Sequence, residues 1–97
     1  MPYYILLAHW TEQGIKNARK TLQRVEAARD LELRLEVRLK QIYWTAGPYD
    51  IVAIVEAPDD KNVTAFVLEV GSGGSVRTTT MRAYDADEMS EIVKKLD

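Results

Sequence analysis

Residues 43–57 read Tyr43-Trp44-Thr45-Ala46-Gly47-Pro48-Tyr49-Asp50-Ile51-Val52-Ala53-Ile54-Val55-Glu56-Ala57. Gly47 and Pro48 together interrupt a strand, and Asp50 has a side chain suited to bonding nearby backbone amides. β-Branched and aromatic residues flank this turn on both sides, over residues 37–45 and 49–57, which is strand chemistry. So short a link between two strands implies an antiparallel hairpin. The second arm decides more than the first. Ile51, Ala53 and Val55 fall on one face, and Val52 and Ile54 fall on the other. A strand that is apolar on both faces needs cover on both.

Upstream, Tyr3-Tyr4-Ile5-Leu6-Leu7-Ala8-His9 repeats that two-faced pattern and is predicted to be a strand. Thr11 offers a helix N-cap for a short first turn. Thr21 looks like a second cap, followed by an amphipathic stripe of Leu22, Val25, Ala28, Leu31 and Leu35. With Gly14 and the restart at Thr21, the first helix is expected to be kinked or in two parts. From Leu31 to Leu39 the chain also alternates apolar and charged residues, so helix and strand periods overlap. The switch is placed near Leu35–Glu36. The apolar phase then slips between Leu39 and Ile42, as a β-bulge would make it slip.

Downstream, Pro58-Asp59-Asp60 should cap a helix whose apolar face is Val63, Phe66, Val67 and Val70, with Gly71 ending it. Ser72-Gly73-Gly74-Ser75 reads as a flexible connector. Val76 to Tyr84 is a Thr-rich strand. Asp85 or Asp87 caps a last helix bearing Ala86, Met89, Ile92, Val93 and Leu96 on one side. The order β-α-β-β-α-β-α makes this an α+β chain of ferredoxin-like βαββαβ type with an extra C-terminal helix. In that arrangement both main helices cover one face of the sheet. The other face is here apolar too, so the chain is expected to self-associate as a dimer or larger oligomer.

Composition bounds the rest. At 97 residues, 46% hydrophobic and 29% charged, the chain suits a single globular domain over residues 1–97. It has no Cys, which removes disulfides, thiolate nucleophiles and Cys-based metal sites. The opening Met1-Pro2-Tyr3-Tyr4 has no basic leader region, and the apolar run after it is too short to span a bilayer, so a cytoplasmic, membrane-free protein is expected. Residues 16–40 carry eight basic and four acidic side chains, and residues 50–97 carry five basic and ten acidic. Because acids alternate with bases in the first stretch and the whole chain has net charge −2, a solvated helix face explains it better than nucleic-acid binding.

Three segments in order carry a family resemblance: Trp10-Thr11-Glu12-Gln13-Gly14-Ile15, the hairpin Tyr43 to Asp60, and Gly71 to Thr80. They resemble the GYD domain family, small bacterial and archaeal proteins with a Gly-x-Tyr-Asp motif, here Gly47-Pro48-Tyr49-Asp50. The resemblance implies a ferredoxin-like fold assembled as a dimeric α+β barrel or higher oligomer, and it implies no activity. The chain departs from the family at Glu36-Val37, where a Gly-containing turn is expected. It is more distantly similar to the ligand-sensing domains of Lrp/AsnC regulators, which share a Gly-x-x-Asp hairpin and a Thr-rich last strand, but no helix-turn-helix is attached here.

Catalytic chemistry finds little support. His9 is the sole histidine. It admits a general-base or haem-ligand role, as in monooxygenases of the dimeric barrel type, but no acid motif accompanies it. Ser72, Ser75 and Thr78 to Thr80 lack a second base. The acid pairs Asp59-Asp60 and Asp87-Glu88 fall at helix starts, where capping explains them. The glycine-rich connector follows a helix rather than preceding one, which argues against a phosphate loop. No metal and no cofactor are expected. The candidate ligand-binding residues are His9, Trp10, Tyr43, Tyr49, Asp50 and Arg77: the hairpin brings Tyr43 near Tyr49 and Asp50, strand 1 ends with His9 and Trp10, and such polar-tipped aromatics line a cavity between sheet and helices or an intersubunit cleft, with Asp50 for an ammonium group and Arg77 for a carboxylate. The alternative is that Tyr49 and Asp50 simply fix the turn and its subunit contact. The leading expectation is a non-enzymatic module binding a small molecule or a partner protein. The alternatives are a barrel-type enzyme using His9 and a purely structural assembly.

Overall fold

The computed structural model describes residues 1–96. Four strands, β1 (Tyr3–Trp10), β2 (Arg38–Trp44), β3 (Ile51–Glu56) and β4 (Val76–Ala83), form one antiparallel sheet in the order β2-β3-β1-β4. The helices are α1 (Glu12–Lys16), α2 (Thr21–Ala27), α3 (Arg29–Leu35), α4 (Asp60–Ser72) and α5 (Ala86–Val93), with a 3-10 turn at Ala18–Lys20. This is the α+β, ferredoxin-like arrangement with an added C-terminal helix.

The core forms where β1 and β3 turn their even and odd positions, respectively, toward the helices. Tyr4, Leu6, Ala53 and Val55 are buried there with Val37, Ala57, Val63 and Phe66, and Leu31, Leu35, Leu39, Ile42, Val67 and Val70 pack around them. Each such aliphatic or aromatic side chain contributes about 1.5–3 kcal/mol when fully removed from water. The opposite face carries Tyr3, Ile5 and Leu7 of β1 and Val52 and Ile54 of β3, all half-buried. Ile5 lies directly between Ile54 and Met81 in the ladder. Helix α5 has no buried residue and leaves Met89 and Val93 about half exposed, so it does not shield that face.

The end of α3 comes at Leu35, as the sequence indicated, by a route that the residues do not advertise. Glu36 adopts the left-handed conformation (φ 57°), the place a glycine usually takes. The N–H of Val37 then reaches back to the Glu32 carbonyl (2.9 Å), and the Asn62 amide caps the Leu35 carbonyl (2.7 Å). The bulge lies between Leu39 and Gln41.

Four expectations need correction. Thr21 is not an N-cap: it is the first residue of α2, and its hydroxyl accepts a hydrogen bond from the Trp44 indole (2.9 Å). Leu22, placed on the buried stripe, is 68% exposed, and the stripe begins instead at Val25. Gly71 does not end its helix, which continues to Ser72, and the left-handed glycine is Gly74 (φ 84°). The connector is also pinned rather than loose. The Thr11 N–H donates to the Ser75 carbonyl (3.1 Å), the Thr11 hydroxyl donates to the Gly74 carbonyl, and the Gln13 amide donates to Gly73 (3.3 Å). Gly14 is essential to that seam: a Cβ there would lie 1.8 Å from the Ser75 carbonyl oxygen. The lesson is physical. Capping and turn chemistry are local, and a partner sixty residues away overrides them.

Candidate functional site

The Gly-x-Tyr-Asp turn joins β2 to β3 beside the end of β1. Asp50 binds three ways there. Its N–H donates to the Ala8 carbonyl (2.9 Å), its carbonyl accepts from Thr45 (2.8 Å), and its carboxylate accepts the Trp10 N–H (2.9 Å). The carboxylate that the sequence offered to an ammonium ligand is therefore engaged by the protein's own backbone. The Thr45 hydroxyl adds a bond to the Tyr49 carbonyl. Gly47 has no positive φ, and a Cβ added to it would meet nothing within 4 Å, so sterics do not explain a glycine at that position.

Of the six residues singled out, four converge. The exposed His9 ring lies 4.7 Å from the Tyr49 ring, tilted by 34°. Arg77 faces His9 across the β1–β4 ladder, and Asp50 anchors the loop beneath them. Strand alternation sends Trp10 to the helix side, opposite Val76, where its indole N–H is buried without an acceptor among the described residues. Tyr43 lies on the open face across from Val52, two strands from β1, and is 55% exposed. Among the described residues no carboxylate bonds to or pairs with His9 or Arg77. The cluster therefore presents aromatic surface and the Arg77 guanidinium.

The strongest electrostatic perturbation lies at the other end of β1. Burial, and then its 2.6 Å hydrogen bond to Asp60, push the Tyr4 hydroxyl up to about 12. Arg82 lies over the rings of Tyr84 (4.5 Å) and Tyr4 (5.6 Å) and pairs with Glu88 at 3.0 Å. The capping box of Asp85 and Glu88 holds that carboxylate in place. At the sheet edge Lys40 bonds Glu56 (3.1 Å) and holds its carboxyl below the usual range. Both groups tie termini and edges to the sheet. Among the described residues no set of three or more His, Asp or Glu is grouped to hold a metal ion, and no helix is long and apolar enough to cross a membrane.

One cavity was not legible in the sequence. About 430 Å³ lies between the helix face of the sheet and helices α2 to α4, walled by residues that include Leu6, Leu31, Ile42, Val70, Arg24 and Glu32. Its walls come from elements scattered over most of the chain, so no local motif marks them.

Comparison with known proteins places the chain. The GYD domain model matches residues 4–93. The chain belongs to the GYD domain family. A relative from Thermus thermophilus, the glutamine synthetase and cystathionine beta-lyase binding protein, is 38% identical over 90 residues, which span 92% of this chain and 95% of the relative. Among solved structures, TTHA0845, also from Thermus thermophilus, is 25% identical with a TM-score of 0.62, covering 89% of this chain and 96% of its own. FFRP-DM1 has a TM-score of 0.63 at 21% identity, covering 87% and 100%. The neighbours include ligand-sensing folds of the Lrp/AsnC kind, and at this identity that likeness is one of fold. For this GYD domain, the motif that names the family is therefore first a structural clasp: its Asp50 closes the end of β1.

Proposed function

We propose that this GYD domain protein is a cytoplasmic, single-domain, non-enzymatic adaptor that self-associates and docks on an enzyme of the kind its Thermus relative is named for, glutamine synthetase or cystathionine beta-lyase. The observation that carries this reading is the 38% identity to that binding protein over nearly the full length of both chains. Two features support it. The His9 cluster lacks a paired acid, and the open sheet face offers Ile5, Leu7, Val52 and Ile54 to a second copy, an apolar area of the kind that interfaces use.

In this reading the two surfaces divide the work. The open face joins two copies into a dimeric α+β barrel. His9, Tyr49 and Arg77, with Tyr43 at the flank, meet the enzyme, because aromatic and arginine side chains dominate the energetics of such contacts. Trp10 and Asp50 hold the loop in shape from behind.

The test uses purified glutamine synthetase and cystathionine beta-lyase from the same host, immobilised and titrated with this protein. Saturable binding to at least one is expected. Tyr49→Ala combined with Arg77→Ala should weaken that binding tenfold or more. Absence of saturable binding to both enzymes would overturn the adaptor reading.

A further inference from the structure

Among the described residues, two side-chain polar atoms are buried with no hydrogen-bond partner, and both are donors: Nη1 of Arg24 and the indole Nε1 of Trp10. Folded chains rarely leave such groups unmet. The two belong to the same end of the helix-side cavity. Arg24 on α2 is one of its walls, and the other arm of that guanidinium donates to the Asn17 carbonyl at the end of α1 (2.6 Å). Trp10 ends β1 on the helix side, and its ladder partner Val76 is another wall. The next residue, Thr11, is bonded to Ser75, which also faces the cavity. Toward the other end of β1 the walls are aliphatic, with Leu6, Leu31, Leu39 and Val55. An apolar space of about 430 Å³ with a few convergent polar groups is the usual form of a small-molecule site.

The unmet atoms select the ligand. Both are donors, so the missing group is an acceptor. One free cationic arm matches a single negative charge, and two donors match the two oxygens of a carboxylate. A phosphate dianion would leave one charge unpaired in an apolar space. An α-amino acid would bring an ammonium group to an end whose unmet atoms are themselves donors. The two carboxylates on the walls do not supply the acceptor. Glu69 is exposed and forms no ion pair with Arg24, and Glu32 also walls a neighbouring groove with Arg29, Arg38 and Lys40.

We propose that the helix-side cavity binds a monocarboxylate with an apolar chain. The carboxylate sits at the Arg24 and Trp10 end, and the chain runs between sheet and helices toward Leu39 and Val55. The site is separate from the docking surface around Tyr49 and Arg77, so each proposal can fail without the other.

The experiment is a nuclear magnetic resonance titration of the intact chain at neutral pH with four probes sharing one tail: octanoate, 1-octanol, octylamine and octyl phosphate. The expected result is one site per chain for octanoate, at least tenfold tighter than for any of the others. Amide shifts should centre on Leu6, Leu31 and Val55, and the Trp10 indole proton should move downfield as it gains an acceptor. Arg24→Gln should erase the preference for octanoate over 1-octanol, whereas Glu69→Gln should leave it in place. The comparison of probes on the unaltered chain decides the matter even where a variant folds poorly. No saturation by any probe would mean that the two donors hold water only, and would overturn the proposal. Equal affinity for octanoate and 1-octanol, tighter binding of octylamine or octyl phosphate, an unmoved Trp10 indole at saturation, or shifts centred on Val52 and Ile54 of the open face would each overturn it too.

Discussion

The carboxylate of Asp50 accepts a hydrogen bond from the backbone N–H of Trp10 at 2.9 Å, joining residues forty positions apart. Because the same residue also bonds Ala8 and Thr45 through its main chain, the end of β1, the turn and the start of β3 move as one unit. The exposed His9 and the half-buried Tyr49 ride on that unit.

Asp50→Ala should therefore destabilise the fold by about 1.5–3 kcal/mol, the usual worth of a hydrogen bond to a charged group. Chemical denaturation measures this. The amide of Trp10 should also lose its protection from hydrogen exchange, whereas Tyr4 at the far end of the strand should keep it.

Gly14→Ala places a methyl group 1.8 Å from the Ser75 carbonyl oxygen, against backbone that cannot swing away. Overpacking of this kind costs about 1–3 kcal/mol or more. A midpoint of thermal unfolding lowered by several degrees is expected, and an unchanged midpoint would show that the seam between α1 and β4 is absent.

Glu36→Gly should act in the opposite direction. A non-glycine residue in the left-handed region is strained by about 1–2 kcal/mol, partly offset by the greater entropy of glycine in the unfolded chain. A gain of about 0.5–1 kcal/mol is expected in urea unfolding.

Alkaline pH tests the Tyr4–Asp60 pair. The Tyr4 hydroxyl is raised from 10.0 to about 12, so its contribution is fully present below pH 10 and is lost as pH rises from about 10 through 12. In a spectrophotometric titration, Tyr4 should contribute a step near 12. Tyr4→Phe should abolish that late step.

Ile5→Lys together with Ile54→Lys puts two charges side by side on the open face, since the two residues are direct partners in the ladder. Neither touches the helix-side core, so the fold should persist. Sedimentation should show the parent as an oligomer and the double variant as single chains. A parent that is already monomeric at micromolar concentration would remove the assembly argument.

Much of the fold is legible because it is written in periods. Alternation in β1 and β3 marks both faces, and the phase slip after Leu39 marks the bulge. What local chemistry misses is what distant residues decide. Thr21 looks like a cap until Trp44 claims its hydroxyl. Gly71 looks like a helix stop, yet the left-handed turn falls at Gly74, where Thr11 and Gln13 hold the loop. The His9, Tyr49 and Asp50 grouping is predictable because two strand ends must meet beside one turn. The cavity beside Arg24 is not, for Arg24 looks like an ordinary polar residue on a solvated helix until the sheet is placed beneath it.

Strand order has a consequence for how the protein is made. β1 leaves the ribosome first, yet it belongs between β3 and β4, the last two strands to be synthesised. At roughly 5–20 residues per second, an oily ribbon with no neighbours waits several seconds for both. The β2–β3 hairpin is local and can form in that interval, offering β1 one edge to dock on before β4 arrives. A nascent chain stalled before residue 76 should accordingly be a chaperone client, and release from the chaperone should follow the synthesis of β4.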